Sequence, residues 1–314
     1  MNKTGIVLVM FRQKHNLELL YSSLAEQSDK DFNVYFIDND PVCNDTEYSK
    51  TLNKNYNLNI EYIKAGENKG FAAGNNIGAK KAIADGCKYI FFLNNDTILE
   101  NNCLSELIKS IENEPLIAAC CPIIFYWKGS MAREHVQEFG ASADFDSYNI
   151  IKYFEGVNYP ENENRIPETL IVDLLSGGAT LIKADALAKT GLWEESYFAY
   201  GDEIDLAKRL KEAEYKCLVS KKAAIWHNHK WVKQNKQGYY FEYYLIQRNK
   251  YLYFRKYSLY KKMFLSYVLD SVKFPWRLIW FTKVCDLKLG YYYLKGTYAG
   301  LLGHNGKPNL SFIK

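Results

Sequence analysis

Carboxylates and amides gather where strands should end. Asp38 closes an apolar run at 33–37, and Asn94-Asn95-Asp96 closes another at 89–93. Asp202, Glu203 and Asp205 crowd the start of an amphipathic stretch, and His227 closes a later strand-like run. A carboxylate beside amide oxygens, just past a buried strand, can hold a divalent cation against a phosphate. A second carboxylate within reach of a hydroxyl can take its proton. The glycine-rich turn Asn68-Lys69-Gly70-Phe71-Ala72-Ala73-Gly74-Asn75 resembles a phosphate-cradling loop, yet it carries neither G-x-G-x-x-G nor G-x-x-x-x-G-K-[ST]. Each feature also has a plain reading. Acids at 202–205 suit a helix N-terminus, Asn94–Asp96 suits an Asn-rich turn, and a lone His is more often structural than a ligand.

The elements that must position these residues follow from periodicity. Short apolar runs at 5–11, 33–37, 60–63, 89–93 and 116–125 predict buried strands. Helical spacing at 16–27, 101–113 and 202–213, and a helix opening from the glycine turn through about Ala84, alternate with them. Strands alternating with helices imply a largely parallel, doubly wound α/β sheet. In such sheets ligands bind beyond the carboxyl ends of the strands, where these acids and amides fall. Residues 126–168 break the pattern and read as a long excursion or a small antiparallel insertion. Regularity returns at 170–183, with a short helix at 185–190 and a strand at 216–225.

The bulk numbers set wider bounds. The chain has 314 residues, 48% of them hydrophobic and 24% charged, which excludes disorder, and its net charge of +4 names no polyanionic partner. The seven cysteines (43, 87, 103, 120, 121, 217 and 285) are odd in number and include no C-x-x-C, which argues against a disulfide framework or zinc site and for a reducing cytosol. No segment reaches the ~18 uncharged apolar residues that a membrane span needs, and the N-terminus reads as a first strand rather than a signal peptide.

In order and spacing the pieces resemble the family 2 glycosyltransferases of the GT-A fold, particularly the bacterial rhamnosyltransferase-like branch that builds cell-surface polysaccharides. The resemblance covers about residues 4–257. It is carried by Ile37-Asp38-Asn39, the Asn68–Asn75 turn, Leu93-Asn94-Asn95-Asp96 and Leu175-Ser176-Gly177-Gly178-Ala179. Tyr200-Gly201-Asp202-Glu203-Ile204-Asp205-Leu206, Trp226-His227, and Tyr244 with Arg248-Asn249 complete it. It implies that Asp38 reads the pyrimidine and that Asn68, Lys69, Gly70 and Asn75 line the nucleotide, with Asn94 and Asn95 also on the donor side. Asp96 would bind Mn²⁺ or Mg²⁺, with His227 or His229 joining the ligand set. Glu203 would be the catalytic base, with Asp202 orienting acceptor or base. Gly177 would wall the donor sugar, and Trp193 would either stack on it or belong to the core. Asp205 and Arg248 would lie on the acceptor side, Arg248 alternatively packing the tail on the catalytic domain. Two positions depart from the family pattern: Asn94 stands where its first metal-motif Asp would be, and Met10-Phe11-Arg12 stands for its Thr-Tyr-Asn.

The implied domains are a GT-A catalytic unit at 1–235, with a nucleotide-sugar half to about 125 and an acceptor half from about 126, and a helical extension at 236–314. From 221 to 262 the chain has eleven Lys or Arg, one acid and twelve aromatics. Such a tail fits an aromatic core with a solvated basic face, or helices lying on an anionic cytoplasmic leaflet; nucleic acid is not an expected partner. The expected reaction is inverting transfer of a sugar, dTDP-rhamnose first and UDP-hexoses next, to a glycan or lipid-linked oligosaccharide in the cytoplasm. The rival readings are a nucleotide-sugar-binding protein without catalysis and a nucleotidyltransferase. The latter class wants a glycine-rich loop after the first strand, where this chain has Phe11-Arg12-Gln13-Lys14.

Overall fold

The computed structural model describes residues 3–12, 14–42, 45–112, 114–228, 236–283 and 286–310. The chain alternates through β1 (Thr4–Met10), α1 (Leu17–Ala25), β2 (Phe32–Asp38), α2 (Asp45–Asn53), β3 (Ile60–Lys64), α3 (Gly70–Ala84) and β4 (Tyr89–Leu93). It continues through β5 (Thr97–Leu99), α4 (Cys103–Glu112), β6 (Ile117–Tyr126), β7 (Val136–Glu138), β8 (Ala141–Asp144), β9 (Asn149–Lys152) and α5 (Tyr159–Asn162). Then come β10 (Thr169–Val172), β11 (Ala179–Lys183), α6 (Ala184–Thr190), α7 (Asp202–Glu212) and β12 (Lys216–His227). The helices α8 (Lys236–Lys256), α9 (Tyr260–Lys283) and α10 (Leu287–Leu302) follow.

The large sheet runs β10-β12-β6-β11-β4-β1-β2-β3, with β5 on β12 and β7 on β6. β3, β2, β1 and β4 are mutually parallel. β11 lies antiparallel between β4 and β6, and β12 runs parallel to β6. The two reversals across β11 restore direction, so β12 points the same way as β4. The ends of β1, β2, β4 and β12, and the start of β11, therefore open on one edge. This is the α/β fold expected, with a mixed sheet and helices on its flanks.

Period-2 pleating sends alternate strand residues to opposite faces. Val7, Tyr35 and Phe92 pack with Ala72 and Ala79 of α3. Ile6, Leu8, Phe36 and Phe91 pack with Leu20 and Leu24 of α1 and with Leu104 and Leu107 of α4. Because both faces are covered, β4 is buried at every position. The stretch 126–168 resolves as the small antiparallel insertion: β8 and β9 form a two-stranded hairpin, and β7 adds to β6. α2 was not foreseen. Its inward residues are Asp45, Thr46 and Ser49, so no apolar period announces it. The expected boundary near 235 falls at residues outside those described. Cys87, Cys103, Cys120, Cys121 and Cys217 are free, buried thiols.

α10 meets α8 backbone to backbone. A Cβ at Gly296 would lie 2.3 Å from the Tyr244 carbonyl oxygen, and one at Gly300 would lie 2.4 Å from that of Arg248. Gly296→Val forces these helices apart and should cost about 1–3 kcal/mol, the range for overpacking a tight contact, read from the urea-unfolding midpoint.

Candidate active site

At the end of β2, Asp38 is buried and already engaged: Oδ2 accepts from Thr46 Oγ1 at 2.6 Å and Oδ1 from the Asp40 amide at 3.3 Å. Thr46 comes from the first turn of α2. Arg12, in the left-handed region at φ 59°, donates Nε to Asp40 at 2.8 Å and its amide to Asp45 at 3.3 Å. Burial raises the Asp45 carboxyl, and the nearby Asp38 and Asp40 charges add to the rise. Arg12, Asp40, Asp45 and Thr46 thus surround Asp38. The sequence hinted at them through the Asp38-Asn39-Asp40-Pro41 run and through Arg12, which stands in the family's Thr-Tyr-Asn position.

The glycine-rich loop is shaped by asparagines. Asn39 Oδ1 accepts the Lys69 amide at 3.0 Å while its Nδ2 donates to Gly70 O at 3.1 Å. Asn68 Oδ1 accepts the Gly70 amide at 3.1 Å. These amides hold the loop in the turn that opens α3. Asn75 is buried and donates to Phe71 O at 3.1 Å, so its amide group is spent inside the helix. Lys69 is half-exposed, with Glu67 3.1 Å away.

Beyond β4, Asn95 is turned inward, donating Nδ2 to Met10 Sδ at 3.1 Å. Asp96 lies beside the start of β5, which pairs with the end of β12 at Thr97↔His227. That ladder brings Asp96 Oδ1 to 3.0 Å from His227 Nε2. Burial lowers the affinity of His227 for its proton, but the Asp96 carboxylate outweighs it, and the imidazole titrates above its ordinary value. Gln137 of β7 places Nε2 3.1 Å from His227 Nδ1. His229 falls outside the described residues.

No group of three or more His, Cys, Asp or Glu suited to hold a metal occurs among the described residues. The chain instead offers a carboxylate–imidazole pair. An oxygen and an imidazole nitrogen suit Mn²⁺ better than Mg²⁺, which takes oxygen almost alone, and a diphosphate would have to complete the shell. As a partial set the residues fit a divalent cation.

The acid pair sits across two glycines from Asn94. The Asn94 amide donates to Gly178 O at 2.8 Å, and a Cβ at Gly177 would lie 2.3 Å from Glu203 Oε1. Gly177 is therefore the space into which Glu203 projects. Glu203 is half-buried, and its Oε2 accepts the Gly201 amide at 3.0 Å. Asp202 is fully buried, and neither of its carboxyl oxygens has a hydrogen-bond partner among the described residues. Burial first, then the neighbouring Glu203 charge, drives the Asp202 carboxyl well above its ordinary range. Glu138, unread in the sequence because β7 lies in the irregular insertion, feels both Glu203 and His227, and burial raises its carboxyl too.

Three expected site residues are buried among packing partners. Asp205 is fully buried and tied up: Oδ2 accepts from Arg209 Nε at 2.8 Å, and Oδ1 lies 2.9 Å from the Tyr257 hydroxyl and 2.7 Å from Lys256 Nζ. It ties α7 to α8. Arg248 is 1% exposed and donates to Tyr197 O at 2.7 Å and Gly306 O at 2.8 Å, so it packs the tail rather than the acceptor. Burial lowers its pKa to about 10. Trp193 is 4% exposed, with the rings of Phe71 and Phe92 edge-on at 5.9 and 5.1 Å, which places it in the core rather than against a sugar. The sequence pieces hid a further role. Asn249 Nδ2 donates to the carbonyls of Tyr197, Ala199 and Tyr200 at 3.0, 2.8 and 2.6 Å.

Comparison with known proteins bears on this geometry. The sequence pattern of glycosyl transferase family 2 matches residues 5–189. Rhamnosyltransferase WbbL of Escherichia coli (strain K12) is 28% identical over 160 residues, which covers 49% of this chain and 58% of that protein. Among solved structures, GalNAc-T7 with UDP, GalNAc and Mn²⁺ superposes with a TM-score of 0.59 at 14% identity, over 81% of this chain and 48% of that one. S. aureus TarS 1–349 gives 0.53 at 14% identity, over 80% of this chain and 65% of its own. At that identity the structures speak to the fold. The matched region spans about half to two thirds of each relative's length.

Asp202 also makes the site's titration measurable. Its carboxyl is raised in the fold from an ordinary 3.8, so the native state holds the proton more tightly than the unfolded chain. That contribution is complete below 3.8 and is lost as pH rises through the folded value. Asp202→Asn should therefore gain stability relative to the parent as pH goes from mildly acidic to mildly alkaline, measured by urea midpoints. A difference that stays constant with pH contradicts the assignment.

Proposed function

The chain belongs to glycosyl transferase family 2, and from that premise we propose that it is an inverting, metal-dependent glycosyltransferase acting on a nucleoside-diphosphate sugar. The observation that supports this most is Asn94 and Glu203 flanking Gly177-Gly178 at the sheet edge where Asp96, two residues past Asn94, pairs with His227. One face of that edge suits a diphosphate and the other a hydroxyl nucleophile.

In this reading Asp38 accepts from the N3–H of a pyrimidine at the bottom of the pocket. The Asn39- and Asn68-braced loop brings backbone close to the nucleotide, and Lys69 is the mobile cation for its phosphates. A divalent cation held by Asp96 and His227 would supply Lewis-acid stabilisation of the leaving diphosphate. Glu203 removes the proton of the acceptor hydroxyl as it attacks the anomeric carbon from the face opposite the leaving group. The Gly201 amide fixes the orientation of the Glu203 carboxylate. Asp202 remains protonated beside it and keeps a second negative charge away from the base.

The likeness to a rhamnosyltransferase makes dTDP-rhamnose the first donor to try, and the UDP bound in two structural neighbours makes UDP-sugars the next. The acceptor is a glycan or lipid-linked oligosaccharide, reached from the cytoplasm. A second reading, a sugar-nucleotide binder without catalysis, draws on Asn94, which supplies no charge where the family pattern has an acid.

A panel of donors with Mn²⁺ or Mg²⁺ tests the proposal. Transfer or donor hydrolysis is expected with at least one. Glu203→Gln should lower kcat on the order of a hundredfold or more, the usual worth of a positioned base. Asp96→Ala should abolish the response to metal. Full activity of Glu203→Gln refutes the mechanism, and metal-independent donor binding without product, seen by calorimetry, selects the second reading.

A further inference from the structure

α9 and α10 each bury one side and leave an apolar stripe on the other. On α10 the inward residues are Leu289, Tyr293, Gly296 and Gly300, while Leu287, Tyr291, Leu294 and Tyr298 point out at the same helical spacing. On α9 the outward stripe steps by four residues through Phe264, Val268, Val272 and Trp276, and Val272 and Trp276 are 65% and 75% exposed. The described residues leave both stripes uncovered. Exposed apolar surface arranged this way on two neighbouring helices marks a contact with something else.

Charge identifies what. Between 260 and 302 the chain has seven Lys or Arg and two acids, Asp270 and Asp286. Both acids face inward. Asp270 accepts from Gln247 Nε2 at 2.7 Å and Tyr251 OH at 2.9 Å and also pairs with Lys250. Asp286 accepts from Tyr240 OH at 2.9 and 2.8 Å. The outward side thus presents apolar side chains beside Lys261, Lys262, Lys273 and Lys288 with no acid among them. A second copy of this chain would bring like charge against like charge. A layer of anionic headgroups over acyl chains matches both the sign and the apolar stripe. Neither helix is apolar enough to cross a bilayer, so each must lie in its plane.

We propose that the outer faces of α9 and α10 form one surface that lies on an anionic lipid bilayer. This goes beyond the sugar-transfer reading and rests on it only for its purpose, which is to hold the site beside a lipid-linked acceptor. The binding measurement uses no sugar. The full chain is sedimented with phosphatidylcholine vesicles with and without phosphatidylglycerol, beside the double variant Val272→Glu/Trp276→Glu.

The parent should sediment with the anionic vesicles and be released by salt. The double variant should bind about tenfold more weakly or worse, with unchanged circular dichroism and thermal midpoint, since both side chains are exposed. Donor hydrolysis without acceptor should be equal in the two proteins, which separates loss of the surface from loss of the active site. Absence of sedimentation with anionic vesicles, or equal binding by the double variant, overturns the proposal. So does a dimer in ultracentrifugation that the double variant splits.

Discussion

The turn at 197–201 is the constraint on which the rest of the site depends. Phe198, Tyr200 and Gly201 all have positive φ, at 67°, 64° and 83°. For the two aromatic residues such a backbone costs on the order of 1–3 kcal/mol each and persists only when its surroundings over-determine it. Here they do. The Phe198 carbonyl accepts the Phe71 amide at 2.7 Å, at the N-terminus of α3. The carbonyls of Tyr197, Ala199 and Tyr200 accept from Asn249, and Tyr197 O also accepts from Arg248. The glycine-rich loop, the acid pair and the C-terminal helices are therefore anchored to one another through five residues. Gly70 is part of that bargain, because a Cβ there would lie 2.4 Å from Phe198 O.

A consequence is that the buried Arg248 needs no carboxylate. Its guanidinium is spent on carbonyls and on Asn249 Oδ1, which accepts from Nε at 2.9 Å. The cost of burying that charge is visible in its lowered pKa. What the arrangement gains is direction: planar donors reach carbonyls on the turn and, through Gly306, on the last described segment at once. The neighbouring acids are sorted by the same packing. Asp205 meets Arg209, Lys256 and two tyrosine hydroxyls, Asp202 meets no donor among the described residues, and Glu203 meets one backbone amide. Three carboxyls within one helical turn are thereby set in three different environments, which is how a fold assigns such groups different roles.

Sequence periodicity made the sheet legible because its strands are buried on both faces and punctuated by turn formers. It failed at α2, whose inward face is polar, and in the insertion that carries Gln137 and Glu138. The site was legible as a set of segments and less so as a set of roles. Asn68 and Asn75 are where the nucleotide loop was expected, but their side chains hold backbone. For Trp193, Asp205 and Arg248 the sequence left a site role and a structural role both open, and each is buried by an element distant in sequence: Phe71 and Phe92 for the indole, Lys256 and Tyr257 for the carboxylate, Tyr197 and Gly306 for the guanidinium. No local pattern carries such contacts.

The amide at 94 is best understood through its neighbours. Asn94 Nδ2 lies 3.4 Å from where a Gly178 Cβ would be, and Glu203 Oε1 lies 2.3 Å from where a Gly177 Cβ would be. Consecutive Cα atoms are about 3.8 Å apart, so the two side chains flank the same short stretch of backbone. A carboxylate at 94 would add a fourth acid to a neighbourhood that already holds Glu203, Glu138 and Asp202. Burial raises both Glu138 and Asp202 there, and the Glu203 charge adds to each rise. Like charges at such separations disfavour one another. With Asn94 in place, the negative charge on this side is confined to Asp96, which is paired with His227. On the proposed mechanism the opposite side is left to Glu203, the acid that would take the acceptor's proton. On that mechanism the amide at 94 removes a charge from the cation side and at the same time keeps the base isolated.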